Sequence, residues 1–248
     1  MELEIAGRSA LVCAGSRGMG YACAAALVAE GVNVTFTGRN AAMLEAAAEQ
    51  LRAVNPAVRV QIAAGDIGTE AGRAAALAVC PTPDILINNN GGPKPAEFED
   101  LTHDDWLRAI ESNMLAPIAM MQAVLPKMKE QRWGRIVNIT SSAVKVPLLM
   151  HPLSNGARAG LTGLVAGLSR KMIAYNITIN NVLPGSIDTD HLRNAPPLTR
   201  TLMSNPVAGR IGTPEEFAAM CVFLCAEKAG YVTGQNIVVD GGAYPVTM

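Results

Sequence analysis

The sequence predicts an α/β fold, a single doubly wound and mainly seven-stranded parallel sheet with helices on both faces. Three features predict it. Short apolar runs alternate with helix-length segments from one end of the chain to the other. A glycine turn, Gly15-Ser16-Arg17-Gly18-Met19-Gly20, follows the first run and opens a helix, and Asn and Gly cluster where the fourth run ends. Half the residues are hydrophobic but only 4% are aromatic, so the apolar bulk is Ala, Val, Leu, Ile and Met, which suits strands covered on both faces. A length of 248 residues fits one domain spanning 1–248.

Composition also excludes whole classes of function. The net charge of −1 and the lack of any run of like charge argue against a nucleic-acid partner. Five cysteines, Cys13, Cys23, Cys80, Cys221 and Cys225, form no CxxC pair, so neither a disulfide framework nor a metal site is expected. That usage fits a reducing cytoplasm. The acidic N-terminus is unlike a signal peptide, and the longest apolar stretch, Met114 to Leu125, contains Pro117 and falls short of the roughly 20 residues a membrane span needs.

In chain order, Ser9 to Ala14 reads as a strand, and Tyr21 to Glu30 as an Ala-rich helix. Strand, glycine turn and helix in that order cradle a dinucleotide pyrophosphate, because bare N–H groups at a helix start accept phosphate where a Cβ would intrude. The alternative is a tight turn and nothing more. Val32 to Gly38 is a second strand ending in Arg39, where such folds read the adenosine ribose. An acidic residue there would accept from the ribose 2′-OH, whereas Arg39 together with Arg17 can embrace a 2′-phosphate, which favours NADP(H) over NAD(H). Two solvated surface arginines are the plainer reading.

Asn40 caps a helix to Val54, and Val58 to Ala64 is a third strand leading to Asp66 and Ile67. Asp84 to Asn88 is the fourth strand, ending in Asn89-Asn90-Gly91-Gly92. A long helical pattern starts at Leu101-Thr102, passes Asn113 and reaches about Gln131, with His103 and Trp106 as cap and packing groups. Gly134 to Thr140 is the fifth strand and delivers Ser141 to the sheet's C-terminal edge. Thr178 to Leu183 is the sixth. The segment at about 188–208 mixes Pro, Met and polar residues without a period, as mobile substrate lids do. Thr213 caps a helix with Pro214 at its first position, Cys221 and Cys225 share one buried face, and the last strand precedes Gly241-Gly242.

With these motifs in place, the whole chain resembles the short-chain dehydrogenase/reductase superfamily, and in detail a divergent branch similar to 3-oxoacyl carrier-protein reductases. The family's Thr-Gly-x-x-x-Gly-x-Gly falls on Cys13 to Gly20, with Ala14 at the first glycine and Gly15 beside it expected to supply the missing backbone freedom. Its Asn-Asn-Ala-Gly falls on Asn88-Asn89-Asn90-Gly91, and its adenine-contacting pair on Asp66 and Ile67. The turn from Pro184 to Thr189 matches the family's Pro-Gly turn, in which Ile187 and Thr189 flank the nicotinamide amide. Asn113 matches the asparagine that holds a proton-relay water, and Ser141 the serine that bonds the substrate oxygen. The resemblance further implies a homo-oligomer, a dimer or tetramer, built through the active-site helix and the C-terminal strand.

The same resemblance exposes a departure. The family's catalytic tyrosine and lysine positions hold Ser154 and Arg158, and no tyrosine lies between Tyr21 and Tyr175. Arg158 keeps the positive charge and can donate to ribose hydroxyls, although its planar fork is no copy of an ammonium. Ser154 is a far weaker acid than a phenol and has a structural reading as the N-cap of the helix it opens. His151 and Lys145 stand in the intervening loop as substitute proton donors, His151 being the better matched to neutral pH and otherwise a surface residue. Two functions follow: an NADP-dependent oxidoreductase acting on a carbonyl or secondary alcohol, or an NADP(H)-binding sensor or inactive partner without turnover. The apolar run Pro147-Leu148-Leu149-Met150 suggests a substrate with an apolar part.

Overall fold

The apolar runs pair as one parallel sheet. The computed structural model describes residues 2–194 and 207–245. Along the chain its elements are β1 (Ser9–Val12), α1 (Gly18–Ala29), β2 (Asn33–Gly38), α2 (Ala41–Val54), β3 (Val60–Ala64), α3 (Glu70–Val79), β4 (Ile85–Asn88), α4 (His103–Ile110), α5 (Ala116–Gln131), β5 (Gly134–Ile139), α6 (Pro152–Met172), β6 (Ile177–Pro184), α7 (Asp190–Arg193), α8 (Pro214–Phe223) and β7 (Asn236–Val239). The sheet order is β3-β2-β1-β4-β5-β6-β7, every neighbouring pair parallel. Parallel neighbours need crossovers, and the helices supply them.

Alternation along the strands sends side chains to two separate cores. Ala10 and Val12 of β1 join Leu27, Leu44, Leu51 and Phe217 on the face covered by α1, α2 and α8. Leu11 and Cys13 join Met120, Met128, Leu161 and Val165 on the face covered by α3, α5 and α6. Strand order reverses between β1 and β4, so the loops leaving their C-terminal ends part there and open a crevice. The glycine turn and the Asn turn both end at that crevice.

The seven strands and most helices match the sequence reading to within a few residues. Helix α3 is an addition to it. Its ten residues bury only Gly72 and Ala76, too little apolar stripe to stand out, although Thr69 caps it by accepting from Gly72 N at 3.1 Å. Between α4 and α5 the helix widens into one π-turn, Glu111–Leu115, which the periodicity does not reveal. Ser154 is not the cap of α6: the helix starts at Pro152, His151 occupies the cap position, and Ser154 is the third helical residue. Proline sets that start because its fixed φ and missing N–H suit the first helical position. Of the expected lid at 188–208, residues 195–206 lie outside the described residues. Among the described residues no helix is long and apolar enough to cross a membrane.

Candidate functional site

The glycine turn is built for close approach. Ala14, not Gly15, takes the left-handed backbone, at φ 49°. Its N–H donates to Thr37 Oγ1 at 3.0 Å and its carbonyl accepts from Asn89 Nδ2 at 3.2 Å, and these two bonds hold the conformation in place. Gly15 is glycine for space, since a Cβ there would stand 2.8 Å from Phe36 Cβ. Gly18 has φ 58°, and a Cβ on Gly20 would run into the Ala14 carbonyl oxygen and come within 2.8 Å of Asn89 Nδ2. Arg17, at the cap position of α1, makes no side-chain cap bond. The first turn of α1 therefore presents bare backbone N–H groups, the arrangement that accepts a phosphate.

Around this cradle stand the other expected cofactor residues. Arg39 is exposed at the end of β2, and Arg17 is exposed and 3.7 Å from the Asp190 carboxylate. Ser16 Oγ lies 3.2 Å from the Cβ position of Gly38, and half-buried Met19 packs on the core. Asp66 accepts from Gly68 N at 2.9 Å, and Ile67 beside it is buried. Gly91 is exposed. Buried Ile187 bridges Gly212, and Thr189 Cγ2 lies 3.4 Å from the Cβ position of Gly18, which brings the loop after β6 onto the glycine turn.

Below the crevice lies a cavity of about 20 Å³ whose walls include Ile67, Asn88, Asn89, Asn113, Asn138 and Arg158. That is room for about one water molecule. Two polar atoms on its walls are buried without a partner among the described residues, Asn113 Oδ1 and Arg158 Nε. One is an acceptor and the other a donor, which fits the relay-water role expected of Asn113. The π-turn places Asn113 there, and its Nδ2 donates to Ser112 Oγ at 2.7 Å. Arg158, one turn beyond Ser154 on α6, donates through Nη1 to the carbonyls of Ile139 (2.9 Å) and Thr140 (2.8 Å). Burial without a neighbouring carboxylate lowers its pKa to about 10, still well above neutral pH. Cys13, also on the wall, is inert, because burial raises its thiol to about 12.

Ser141, Ser154 and His151 do not line this cavity; they sit at the C-terminal edge of β5 and the start of α6. Ser141 Oγ accepts from Ala143 N at 3.1 Å, an engagement that leaves its own O–H to donate elsewhere. Ser154 is buried on the first turn of α6, while His151 and Lys145 are half-buried.

Sequence reasoning missed what braces the cavity. Asn88 donates to Asn138 at 2.9 Å, Asn138 to Asn181 at 3.0 Å and Asn181 to Asn236 at 2.8 Å, a ladder of amides crossing four strands in register. Asn88, Asn138 and Asn181 are buried. The available signal was an Asn interrupting an apolar run in strand after strand, which a buried sheet tolerates only where the amides satisfy one another.

This arrangement has close counterparts. Residues 13–244 match the family model described as Enoyl-(Acyl carrier protein) reductase. The chain is 34% identical over 245 residues to the 3-oxoacyl-(acyl-carrier-protein) reductase FabG of Pseudomonas aeruginosa, with 98% of this chain and 99% of that one covered. Among solved structures it is similar to L-sorbose reductase from Gluconobacter frateurii complexed with NADPH and L-sorbose, with a TM-score of 0.92, 27% identity and coverage of 99% and 100%. It is also similar to 7α-hydroxysteroid dehydrogenase complexed with NADH and 7-oxo glycochenodeoxycholic acid, with a TM-score of 0.90, 26% identity and coverage of 100% and 98%.

Proposed function

The chain belongs to the short-chain dehydrogenase/reductase superfamily and is an oxidoreductase acting on carbonyl or alcohol groups, and from that premise we propose an NADP-dependent enzyme whose catalytic set is altered at Ser154 and Arg158. The observation that carries the reading is the bare start of α1, where Gly18 takes a left-handed backbone and Gly20 lets the turn close against the Ala14 carbonyl, so that no side chain covers the first N–H groups of the helix. Gly15 to Gly20, Asn89 and Thr189 would hold the pyrophosphate and nicotinamide end, Asp66 and Ile67 the adenine, and Arg17 with Arg39 a 2′-phosphate. NADP(H), when bound, supplies or accepts the hydride.

The remaining chemistry falls to side chains of this chain. Ser141 directs its O–H at the substrate oxygen. Asn113 organises the water of the cavity beneath, and Arg158 stays protonated, acting as a fixed charge beside the ribose and never as a proton carrier. Ser154 is no substitute for a phenol, and losing a general acid typically costs about 10² to 10⁴ in rate while positioning still contributes. His151, three residues before Ser154 at the mouth of α6, is the proton donor we assign, with Lys145 second. The apolar residues Leu149 and Met150, exposed near the mouth, suit a substrate with an apolar part. The protein is read as a cytoplasmic homo-oligomer, a dimer or tetramer, and multi-angle scattering tests the oligomeric state.

Fluorescence titration with NADPH and NADH, followed by absorbance assays on ketones, 3-oxoacyl thioesters and secondary alcohols, tests this reading. Tight NADPH binding with turnover is expected. Gly20→Ala abolishes binding, and Arg39→Asp weakens NADPH more than NADH. Tight binding with no turnover on any substrate would establish the protein as a cofactor-binding sensor or inactive partner instead. A pH–rate profile unchanged by His151→Gln removes His151 as donor.

A further inference from the structure

The two arginines read as a 2′-phosphate clamp stand in different circumstances. Arg39 is exposed and forms no ion pair among the described residues. Arg17 reaches instead to the loop after β6, where its Nη1 lies 3.7 Å from Asp190 Oδ2 at the start of α7.

The loop that carries Asp190 is tied down beside the glycine turn. Asp188 N donates to the Gly212 carbonyl at 2.8 Å and Gly212 N to the Ser186 carbonyl at 3.0 Å, while Thr189 Cγ2 lies 3.4 Å from the Cβ position of Gly18. These contacts hold the backbone on both sides of the loop, so the carboxylate of Asp190 is presented to Arg17 at a fixed place.

Asp190 does not depend on Arg17 for its charge balance. Arg193 Nη1 lies 3.8 Å from Asp190 Oδ1, and the same guanidinium grips Asp188 through Nε at 2.8 Å and Nη2 at 2.9 Å. Releasing Arg17 therefore leaves Asp190 with Arg193. All four side chains of this network are exposed, so a change of partner strands no buried charge. Breaking one exposed pair of this kind costs a factor of about two to five in affinity.

A phosphate monoester is the stronger claimant on Arg17. Near neutral pH it carries nearly twice the charge of a carboxylate and offers three acceptor oxygens, and the guanidinium fork fits either anion.

We infer that Asp190 is a specificity-determining residue of the cofactor site. It holds Arg17 as an internal competitor of the 2′-phosphate, so NADP(H) gains that arginine only by breaking the pair, whereas NAD(H) leaves the pair intact. The inference rests on the assignment of Arg17 and Arg39 to a 2′-phosphate. Its consequence is a preference for NADP(H) narrower than two free arginines would give.

Fluorescence titration of NADPH and NADH into wild type, Asp190→Asn, Asp190→Glu, Arg17→Ala and the double variant Arg17→Ala/Asp190→Asn tests it, with circular dichroism verifying that each is folded. Asp190→Asn is expected to tighten NADPH about two- to five-fold and to leave NADH at its wild-type affinity. Asp190→Glu, which keeps the charge, should match wild type, and the gain should vanish in the Arg17→Ala background. NADPH binding by Asp190→Asn no tighter than wild type, an equal gain for NADH, or a gain that survives Arg17→Ala overturns the inference and leaves the oxidoreductase reading intact. An NADPH-to-NADH affinity ratio unaltered by Arg17→Ala overturns the 2′-phosphate assignment of Arg17 together with the inference.

Discussion

Asn138→Leu isolates the asparagine ladder from every other feature of the fold. Leucine shares asparagine's branching and is larger, so the change removes hydrogen bonds without opening a void. It strands Asn181 Oδ1, fully buried, and an unpartnered buried acceptor costs about 1–3 kcal/mol. It leaves Asn88 Nδ2 with only the Pro117 carbonyl at 3.4 Å, a weakening of roughly 1 kcal/mol. Burying the apolar side chain returns about 1 kcal/mol. The net expectation is a loss of about 2 kcal/mol, or roughly 4–8 °C in thermal midpoint for a chain of this size.

The double variant Asn138→Leu/Asn181→Leu sharpens the test. It removes the stranded acceptor and adds to the Asn88 loss only that at half-buried Asn236, which solvent can reach. The pair should therefore cost no more than Asn138→Leu alone, a coupling of at least about 1 kcal/mol in a double-mutant cycle. Urea denaturation followed by circular dichroism measures both. A single-variant loss below about 0.5 kcal/mol, or strict additivity, would refute the claim that the amides satisfy one another.

Three further outcomes follow from the local geometry. Ala14→Gly should leave stability unchanged or raise it by up to about 1 kcal/mol, because relief of the left-handed strain, about 1–2 kcal/mol, is partly offset by the greater freedom of an unfolded glycine; a lowered thermal midpoint contradicts it. Glu216, which closes a capping box with Thr213 and pairs with Arg210, is held down to about 2, so its contribution is complete above the ordinary carboxylate pKa of 4.5 and lost as pH falls toward 2. Glu216→Gln should thus lower the thermal midpoint at pH 7 and match wild type at pH 2. Arg158 titrates near 10 when folded, below the ordinary arginine range of the unfolded chain, so above pH 10 the unfolded chain binds the extra proton and stability rises with pH there. The stability difference between wild type and Arg158→Met should be flat from pH 6 to 9 and shift in favour of wild type above 10.

How far each feature was legible depended on how local its cause is. The strands, the capped helices at Asn40 and Thr213 and the glycine turn were readable because periodicity, capping side chains and glycine placement act over a few residues. Helix α3 escaped because its buried stripe is small, and Ser154 was misplaced as a cap because Pro152 two residues earlier is the stronger start signal. The role of Ala14 escaped too, since alanine seldom adopts a positive φ and is held there by Thr37 and Asn89, both distant in sequence.

By itself the sequence determined the doubly wound sheet, the order of strand, glycine turn and helix, and the absence of a tyrosine between residues 21 and 175, for these are matters of pattern and identity. Only the tertiary structure decided that Asn113 and Arg158 face one small cavity, that four asparagines form one ladder, and that Asn113 Oδ1 and Arg158 Nε stay without partners. Those facts depend on which strands lie side by side and on what is left unpaired once they do, and unpaired groups exist only after the chain has closed around them.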